Sequence, residues 1–251
     1  MVEATTDGRT HDGASDASSP SALSDRRVLS QAAGLLLGSL VLDGVAGALH
    51  ASPPTGDAND LPATFVGIAA SGVWPAAHLL QFAASLIFVA GLLVLYRAAA
   101  GRQPSLLNRL GAVLTILAAA AGAVQYAVDG VALKHAVDAW AGAAPSEKAA
   151  AFRIAELARW LEWATTSYAA LLLGAALVLL GTAIIRSRVL PGWFGLLLAV
   201  AGVLDLISGV IVGEQGFSPA ATAVSAPTVI LLPVAGIALA VIAYRRRQAA
   251  T

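Results

Sequence analysis

The chain has 251 residues, of which 58% are hydrophobic and only 12% are charged, and its formal net charge is zero. In soluble domains about a quarter of the residues are charged, so this deficit indicates a chain that lies largely in lipid. The neutral balance provides no basic face for nucleic acid, and the absence of cysteine excludes disulfides, thiolate metal sites and a cysteine nucleophile.

Residues 1–25 differ from the rest of the chain because they are rich in Ser, Thr, Asp and Gly. Such a segment cannot bury enough apolar surface to offset its ordering entropy. We therefore predict a disordered cytoplasmic tail, in which His11 is solvated. Residues 26–248 form the predicted transmembrane domain.

Six apolar runs in this domain are long enough to cross the hydrocarbon core as helices, which requires about 20 residues. A helix also satisfies its own backbone hydrogen bonds, as lipid demands. Each odd-numbered run carries one aspartate and each even-numbered run leads into an arginine, which favours a pairwise arrangement. The sequence thus predicts an all-α polytopic membrane bundle of six transmembrane helices, arranged as three hairpins. The predicted spans are residues 28–50, 73–97, 109–133, 160–185, 190–212 and 226–244.

The basic residues indicate the orientation of these spans. Arginines lie before the first span, in every second loop and after the sixth span: Arg26, Arg27, Arg97, Arg102, Arg109, Arg186, Arg188, Arg245, Arg246 and Arg247. The positive-inside rule then places both termini in the cytoplasm, and four of the five tryptophans fall near the outer interface. The arginine- and alanine-rich composition is typical of a bacterial genome rich in GC. We therefore expect a multi-pass protein of the bacterial plasma (inner) membrane.

The first span has an alternative interpretation as a secretory signal peptide. Paired arginines precede it, and "AGA" near its end resembles a cleavage site. However, the apolar stretch is long, Asp43 interrupts it, and the preceding tail is acidic. We therefore expect an uncleaved span.

Ionisable side chains within the spans concentrate in one layer. At 1.5 Å per residue, five of them lie roughly 24 to 36 Å from the inner arginine of their own span, in a hydrocarbon core about 30 Å thick. This places them in the outer third of the bilayer and its outer interface. Intramembrane acids are costly and usually serve a function, so these five are the candidate catalytic residues. They are Asp43, His78, Asp129, Glu162 and Asp205.

Two short motifs occur in the same layer or next to it. The tetrapeptide DGVA appears at residues 43–46 and again at 129–132, and it puts the same acid at similar depth in two odd spans. The GLLLG element at residues 34–38 predicts a close approach of helix backbones. Gln81 and Gln125 share helix faces with the acid and histidine candidates, which makes them candidate binding residues.

The fourth span continues from a polar segment without a helix breaker. A helix from Ser146 to Arg186 would be roughly 60 Å long, twice the hydrocarbon thickness, with Ser146 as its N-cap. Glu156 and Arg159, and likewise Arg159 and Glu162, are spaced for i, i+3 pairs. We therefore expect Arg159 to neutralise an acid of the polar layer, as a third candidate binding residue.

Three functions are compatible with this polar layer. The first is a protein that binds or moves a small or lipophilic ligand at an acid/His site. The alternative is a membrane-embedded enzyme whose carboxylates perform acid–base hydrolysis, isomerisation or cyclisation of a lipid-soluble substrate. The second alternative is a non-catalytic membrane subunit, in which the acids only form hydrogen bonds between helices.

A metal site is a further hypothesis, since imidazole and carboxylate suit zinc-like ions. The candidate ligands are His78, Asp43 and Asp129, although no HxxxH or HExxH spacing occurs in the chain. No other cofactor is indicated. The expected partners are the lipid bilayer and a small lipophilic ligand, with a homo-oligomer left open and nucleic acid excluded.

Overall fold

The computed structural model describes residues 20–50, 56–100 and 105–249, which form helices and loops with no strand among them. The α-helices in this part of the chain are α1 (Pro20–Leu49), α2 (Leu61–Ala70), α3 (Trp74–Ala99), α4 (Leu106–Ala127), α5 (Lys134–Gly142), α6 (Lys148–Ser187), α7 (Gly192–Gln215) and α8 (Pro219–Gln248). A π-helical segment, Val128–Leu133, joins α4 to α5. The helix α1 already includes residues 20–25 of the predicted tail, while residues 1–19 lie outside the described residues.

Six helices of the described chain are long and apolar enough to cross a membrane. The prediction of an all-α, six-span membrane protein is therefore confirmed. Apart from the fourth span, whose long helix the sequence predicts, two spans are clearly longer than predicted. The third continues through the π-helical segment to Gly142, and the sixth begins at Pro219 and contains Pro227 and Pro233. Ser218 accepts a hydrogen bond from the Ala221 N–H and so caps the early start of α8.

The short helix α2 lies between the first two spans and was not predicted. Asp60 caps it by accepting a hydrogen bond from the Ala63 N–H at 3.3 Å, and a proline occupies its first turn. Its buried side chains Phe65 and Ile68 pack into an apolar cluster with Trp74, Leu133, Val137, Ala155 and Ala158. Through these contacts α2 covers one end of the bundle.

The long helix α6 spans 40 residues, as the sequence predicts. Its N-cap is Glu147, which makes no side-chain capping bond, so the predicted N-cap role of Ser146 is wrong. The expected Glu156–Arg159 pair is also wrong, because Glu156 instead accepts a hydrogen bond from Arg153 at 2.6 Å.

Helices α6 and α7 approach each other most closely at facing glycines. A Cβ built on Gly174 would lie 2.6 Å from the Gly202 carbonyl oxygen, and one built on Gly202 would lie 2.5 Å from that of Gly174. By contrast, a Cβ on Gly34 or Gly38 of the GLLLG element would meet nothing within 4 Å. The close helix contact is thus formed by α6 and α7 and not by the predicted motif in α1.

A second, larger apolar cluster occupies the opposite end of the bundle from α2. It includes Leu29 near the start of α1, Ile184 near the end of α6 and Ala243 near the end of α8. The two ends of the described chain therefore lie at the same end of the bundle. The buried charged side chains His78, Asp129, Arg159 and Glu162 lie at the other end, beside the α2 cluster.

Candidate functional site

The site begins in the first turn of α3, where Trp74 and His78 lie one helical turn apart. The Nδ1 atom of His78 lies 2.8 Å from the Trp74 backbone carbonyl oxygen. A carbonyl oxygen can only accept a hydrogen bond, so Nδ1 carries a proton and donates it. The other ring nitrogen, Nε2, lies 2.8 Å from Oδ2 of Asp129.

This geometry requires a positive charge between His78 and Asp129. With the Nδ1 proton fixed on the Trp74 carbonyl, Nε2 of a neutral ring and an ionised Oδ2 would both be acceptors. Two acceptors 2.8 Å apart repel each other unless a cation lies between them. That cation is either a proton, which gives an imidazolium–carboxylate pair, or a metal ion.

The π-helical segment brings Asp129 to this position. Asp129 is its second residue and is buried, and the Trp74 indole N–H donates to the Asp129 backbone carbonyl at 2.9 Å. The next residue, Gly130, lies directly against His78, because a Cβ at position 130 would be 2.5 Å from the His78 Cβ. Short π-helical segments within α-helices are frequent at functional sites.

Glu162 and Arg159 of α6 extend the site. The Glu162 carboxyl lies near that of Asp129, and the two groups interact electrostatically. Oδ1 of Asp129 has no donor from the described residues. Arg159 Nη1 donates to Glu162 Oε2 at 2.5 Å, which confirms the expected pair. His78, Asp129, Glu162 and Arg159 thus form one His–Asp–Glu–Arg network, whose members are only 2% to 5% exposed.

Loops cover the arginine end of this network. Arg159 Nη2 donates to the Ala58 carbonyl at 3.2 Å, and the guanidinium lies 4.8 Å from the centre of the Phe217 ring. A buried charge pair needs such additional partners to be stable. The network therefore ends in a guanidinium that is held by two loops and one aromatic ring.

Asp43 lies apart from the network, on the wall of a cavity of about 200 Å³. The other polar groups of this cavity are Ser39, Ser85 and Tyr126. Among the described residues, none forms a hydrogen bond or ion pair with Asp43. Tyr126 lines both this cavity and a second one, whose wall includes His78.

A second cavity, of about 280 Å³, adjoins the first at Tyr126. His78 and Gly130 form part of its wall, together with mostly apolar side chains such as Leu79 and Phe82. One face of the His–Asp–Glu–Arg network therefore borders an apolar space between helices.

Besides Asp43, three further predicted site residues are not brought into the network. Asp205 is half-buried on α7, and Gln81 and Gln125 are half-buried on α3 and α4. The structure gives none of the three a hydrogen bond or ion pair with another described side chain. Equal depth in the bilayer does not make these residues neighbours.

The sequence did not point to several residues of the site. The His50 ring centre lies 4.4 Å from that of Trp74 and 5.1 Å from that of His78. One ligand atom from each of His50, His78 and Asp129 lies within 4.8 Å of the others. The group thus contains His50 in place of the expected Asp43. The i, i+4 spacing of Trp74 and His78 was readable in the sequence, whereas the approach of His50 and Phe217 depends on tertiary packing.

Six helices able to cross a membrane, with a buried polar network among them, define a multi-pass helical membrane protein. Residues 32–243 match the family described as "Domain of unknown function (DUF4386)", and the chain belongs to this family. His50 and all four residues of the network lie within the matched range. Neither a curated protein nor a solved structure matches the chain.

Proposed function

We propose that this protein binds a small lipophilic ligand with a cationic or hydrogen-bond-donating group in the Asp43 cavity. The observation that supports this proposal is a carboxyl group on the wall of a mostly apolar cavity, with no donor from the described residues. An ionised carboxylate in lipid is costly unless it meets a positive partner. A ligand that brings this partner would gain affinity from the pairing.

The two serine hydroxyls of the cavity favour the same kind of ligand. Ser39 donates to the Leu36 carbonyl at 2.7 Å, and Ser85 donates to the Phe82 carbonyl at 2.8 Å. Both protons are therefore committed to the backbone, and each hydroxyl oxygen is left as an acceptor. Asp43 and the two serines thus place three acceptor groups on the cavity wall, which suits an ammonium group that donates several hydrogen bonds.

The apolar remainder of the cavity fits the hydrocarbon part of such a ligand. With the predicted topology, the cavity lies towards the outer leaflet, and the ligand would enter laterally from lipid. Among the described residues, the buried charged side chains all lie at the α2 end, whereas the larger apolar cluster, from Leu29 to Ala243, fills the opposite end of the bundle. This supports binding more than translocation.

Ligand-dependent stabilisation of the purified protein tests the proposal. A ligand at 100 times its Kd stabilises the folded state by about 2.7 kcal/mol, which raises Tm measurably. A series of lipophilic amines should raise Tm, whereas alcohols of the same shape should not. The Asp43→Asn variant should lose the rise in Tm that amines cause. The control is Asp205→Asn, which replaces an acid of α7 outside the cavity and should keep this rise. An amine effect that persists in Asp43→Asn would refute the proposal.

A membrane-embedded enzyme is the second candidate, favoured by His78, which lies on the wall of the second cavity and contacts Asp129. His78 can act as a general acid or base there when its Nε2 exchanges the contact with Asp129 for one with the substrate. Incubation with a membrane lipid extract, followed by mass spectrometry of the products, tests this candidate. Turnover that is lost in His78→Gln and kept in Asp43→Asn would favour the enzyme over the amine-binding function.

A further inference from the structure

We propose that His50, His78 and Asp129 bind a divalent transition-metal cation of the zinc type. Their ligand atoms lie within 4.8 Å of one another, at the end of the bundle next to α2. The proposal is independent of amine binding at Asp43, because Asp43 does not belong to this group. His50 directly follows α1, His78 lies on α3 and Asp129 on the π-helical segment, so a bound ion would link three separate parts of the bundle.

His78 has the orientation of a metal ligand. Its Nδ1–H donates to the Trp74 carbonyl at 2.8 Å, and histidines that bind metal usually donate their second ring N–H in this way. The Nε2 lone pair is thereby directed at Asp129. In a tetrahedral site with metal–ligand distances of about 2.0–2.1 Å, ligand atoms lie roughly 3.3 Å apart. The observed separation of 2.8 Å therefore needs to widen by only a few tenths of an ångström.

Asp129 supplies the negative charge and has a free coordination position. Its Oδ1 atom is buried and has no hydrogen-bond donor among the described residues, while Trp74 holds its backbone carbonyl in place. The Asp129 carboxylate therefore has a coordination position available at the place where the three ligand atoms converge.

His50 completes the group from the end of α1. Its ring centre lies 4.4 Å from that of Trp74 and 5.1 Å from that of His78, so its position is fixed by ring contacts. His50 is half-buried, whereas His78 and Asp129 are buried. An ion can consequently reach the site past His50 without opening the bundle.

The ligand types determine which metals fit. Two imidazoles and one carboxylate suit Zn²⁺ and related ions, whereas Mg²⁺ and Ca²⁺ prefer oxygen ligands throughout. Three protein ligands leave a fourth tetrahedral position open, as in catalytic zinc sites. We therefore expect a bound ion with one exchangeable water.

Metal titration of the intact, detergent-purified chain tests the proposal. The protein is prepared with an affinity tag that contains no histidine, stripped with a chelator, and titrated with Co²⁺ and Zn²⁺. We expect one Co²⁺ per chain with the visible absorption bands of a tetrahedral site, and displacement of Co²⁺ by Zn²⁺. Replacement of one ligand should lower the Co²⁺ affinity at least about 100-fold in His50→Gln and in His78→Gln.

The exposed His135 provides the matched control. His135 lies near the same end of the bundle but outside the group, so the His135→Gln variant should bind Co²⁺ like the natural chain. Because His50 is only half-buried, His50→Gln should fold even if His78→Gln does not. Absence of a tetrahedral Co²⁺ spectrum in the natural chain, or unchanged Co²⁺ affinity in His50→Gln, would overturn the proposal. If the natural chain gives no tetrahedral Co²⁺ spectrum, His78 and Asp129 form an ion pair without a metal.

Discussion

The imidazole of His78 and the carboxylate of Asp129 lie 2.8 Å apart, although 51 residues separate them in the chain. Both side chains are buried, and the contact joins the start of α3 to the π-helical segment. The stability of the polar end of the bundle should therefore depend on this contact and on the helices that hold it.

The buried pair should contribute strongly to stability. Asp129→Asn leaves a histidine that is buried without its charge partner, and removal of one member of such a pair typically costs about 3–5 kcal/mol. We expect this loss in the free energy of unfolding, measured by denaturant titration in mild detergent with a chelator present. Adding His78→Gln to Asp129→Asn should cost less than His78→Gln does alone, because the two changes remove one interaction. Asp138→Asn, at an exposed acid near the same end, provides the control.

Gly130 should be intolerant of a side chain, because a Cβ there would lie 2.5 Å from the Cβ of His78 and 3.1 Å from its Cγ. Overpacking of this kind costs about 1–3 kcal/mol, and Gly130→Ala should also displace the His78 ring. The other DGVA copy supplies an internal control, since a Cβ on Gly44 meets nothing within 4 Å. Gly44→Ala should leave stability unchanged or increase it by up to about 1 kcal/mol. Equal effects of the two substitutions on Tm would contradict the observed packing.

The two arginine–glutamate pairs of α6 should differ in their contributions to stability. Arg159→Gln leaves Glu162 buried without its guanidinium, so we expect a loss of about 3–5 kcal/mol. Arg153 has the same i, i+3 spacing from Glu156, but its side chain is 75% exposed. Arg153→Gln should change stability by less than about 0.5 kcal/mol. The Tm values of the two variants, measured in the same detergent, test this difference. Similar Tm values would show that burial does not determine how much each pair contributes to stability.

The predicted orientation can be tested with single cysteines, since the chain has none of its own. Ala144 and Ser187 are exposed residues near opposite ends of α6. With both termini in the cytoplasm, a membrane-impermeant maleimide should label Ala144→Cys in intact cells. Ser187→Cys should react only after the cells are permeabilised. The reverse labelling pattern would invert the topology and move the polar site to the inner leaflet.

The six spans were predictable from the length of the apolar runs, and the position of each polar residue along its own helix follows from the fixed rise per residue. This is why His78, Asp129 and Glu162 were expected in one layer. Which of them touch depends on the rotation of each helix about its axis, which depth does not specify. Asp43 and Asp205 have similar depth but lie on helix faces that do not meet the network.

The short helix α2, the helix caps and the position of His50 were less predictable than the spans. The ten residues of α2 are too few for a span, and the helix is identified mainly by Asp60 at its N-cap and the proline of its first turn. Helix caps also shift by a residue or two between equally plausible start points, as the change from Ser146 to Glu147 at α6 illustrates. His50 could not be placed from sequence, because its position results from ring packing against Trp74 and His78.

The number of residues in the π-helical segment Val128–Leu133 determines whether the site can form. A π-helical turn contains one more residue than a regular turn, so it rotates the helix beyond it by about 100° relative to the helix before it. Deletion of one residue there would restore an uninterrupted α-helix and turn either Asp129 or the apolar face of α5 away from its partners. A homologue that lacks this extra residue would thus keep the six spans and lose the site, even if it retained every side chain of the network.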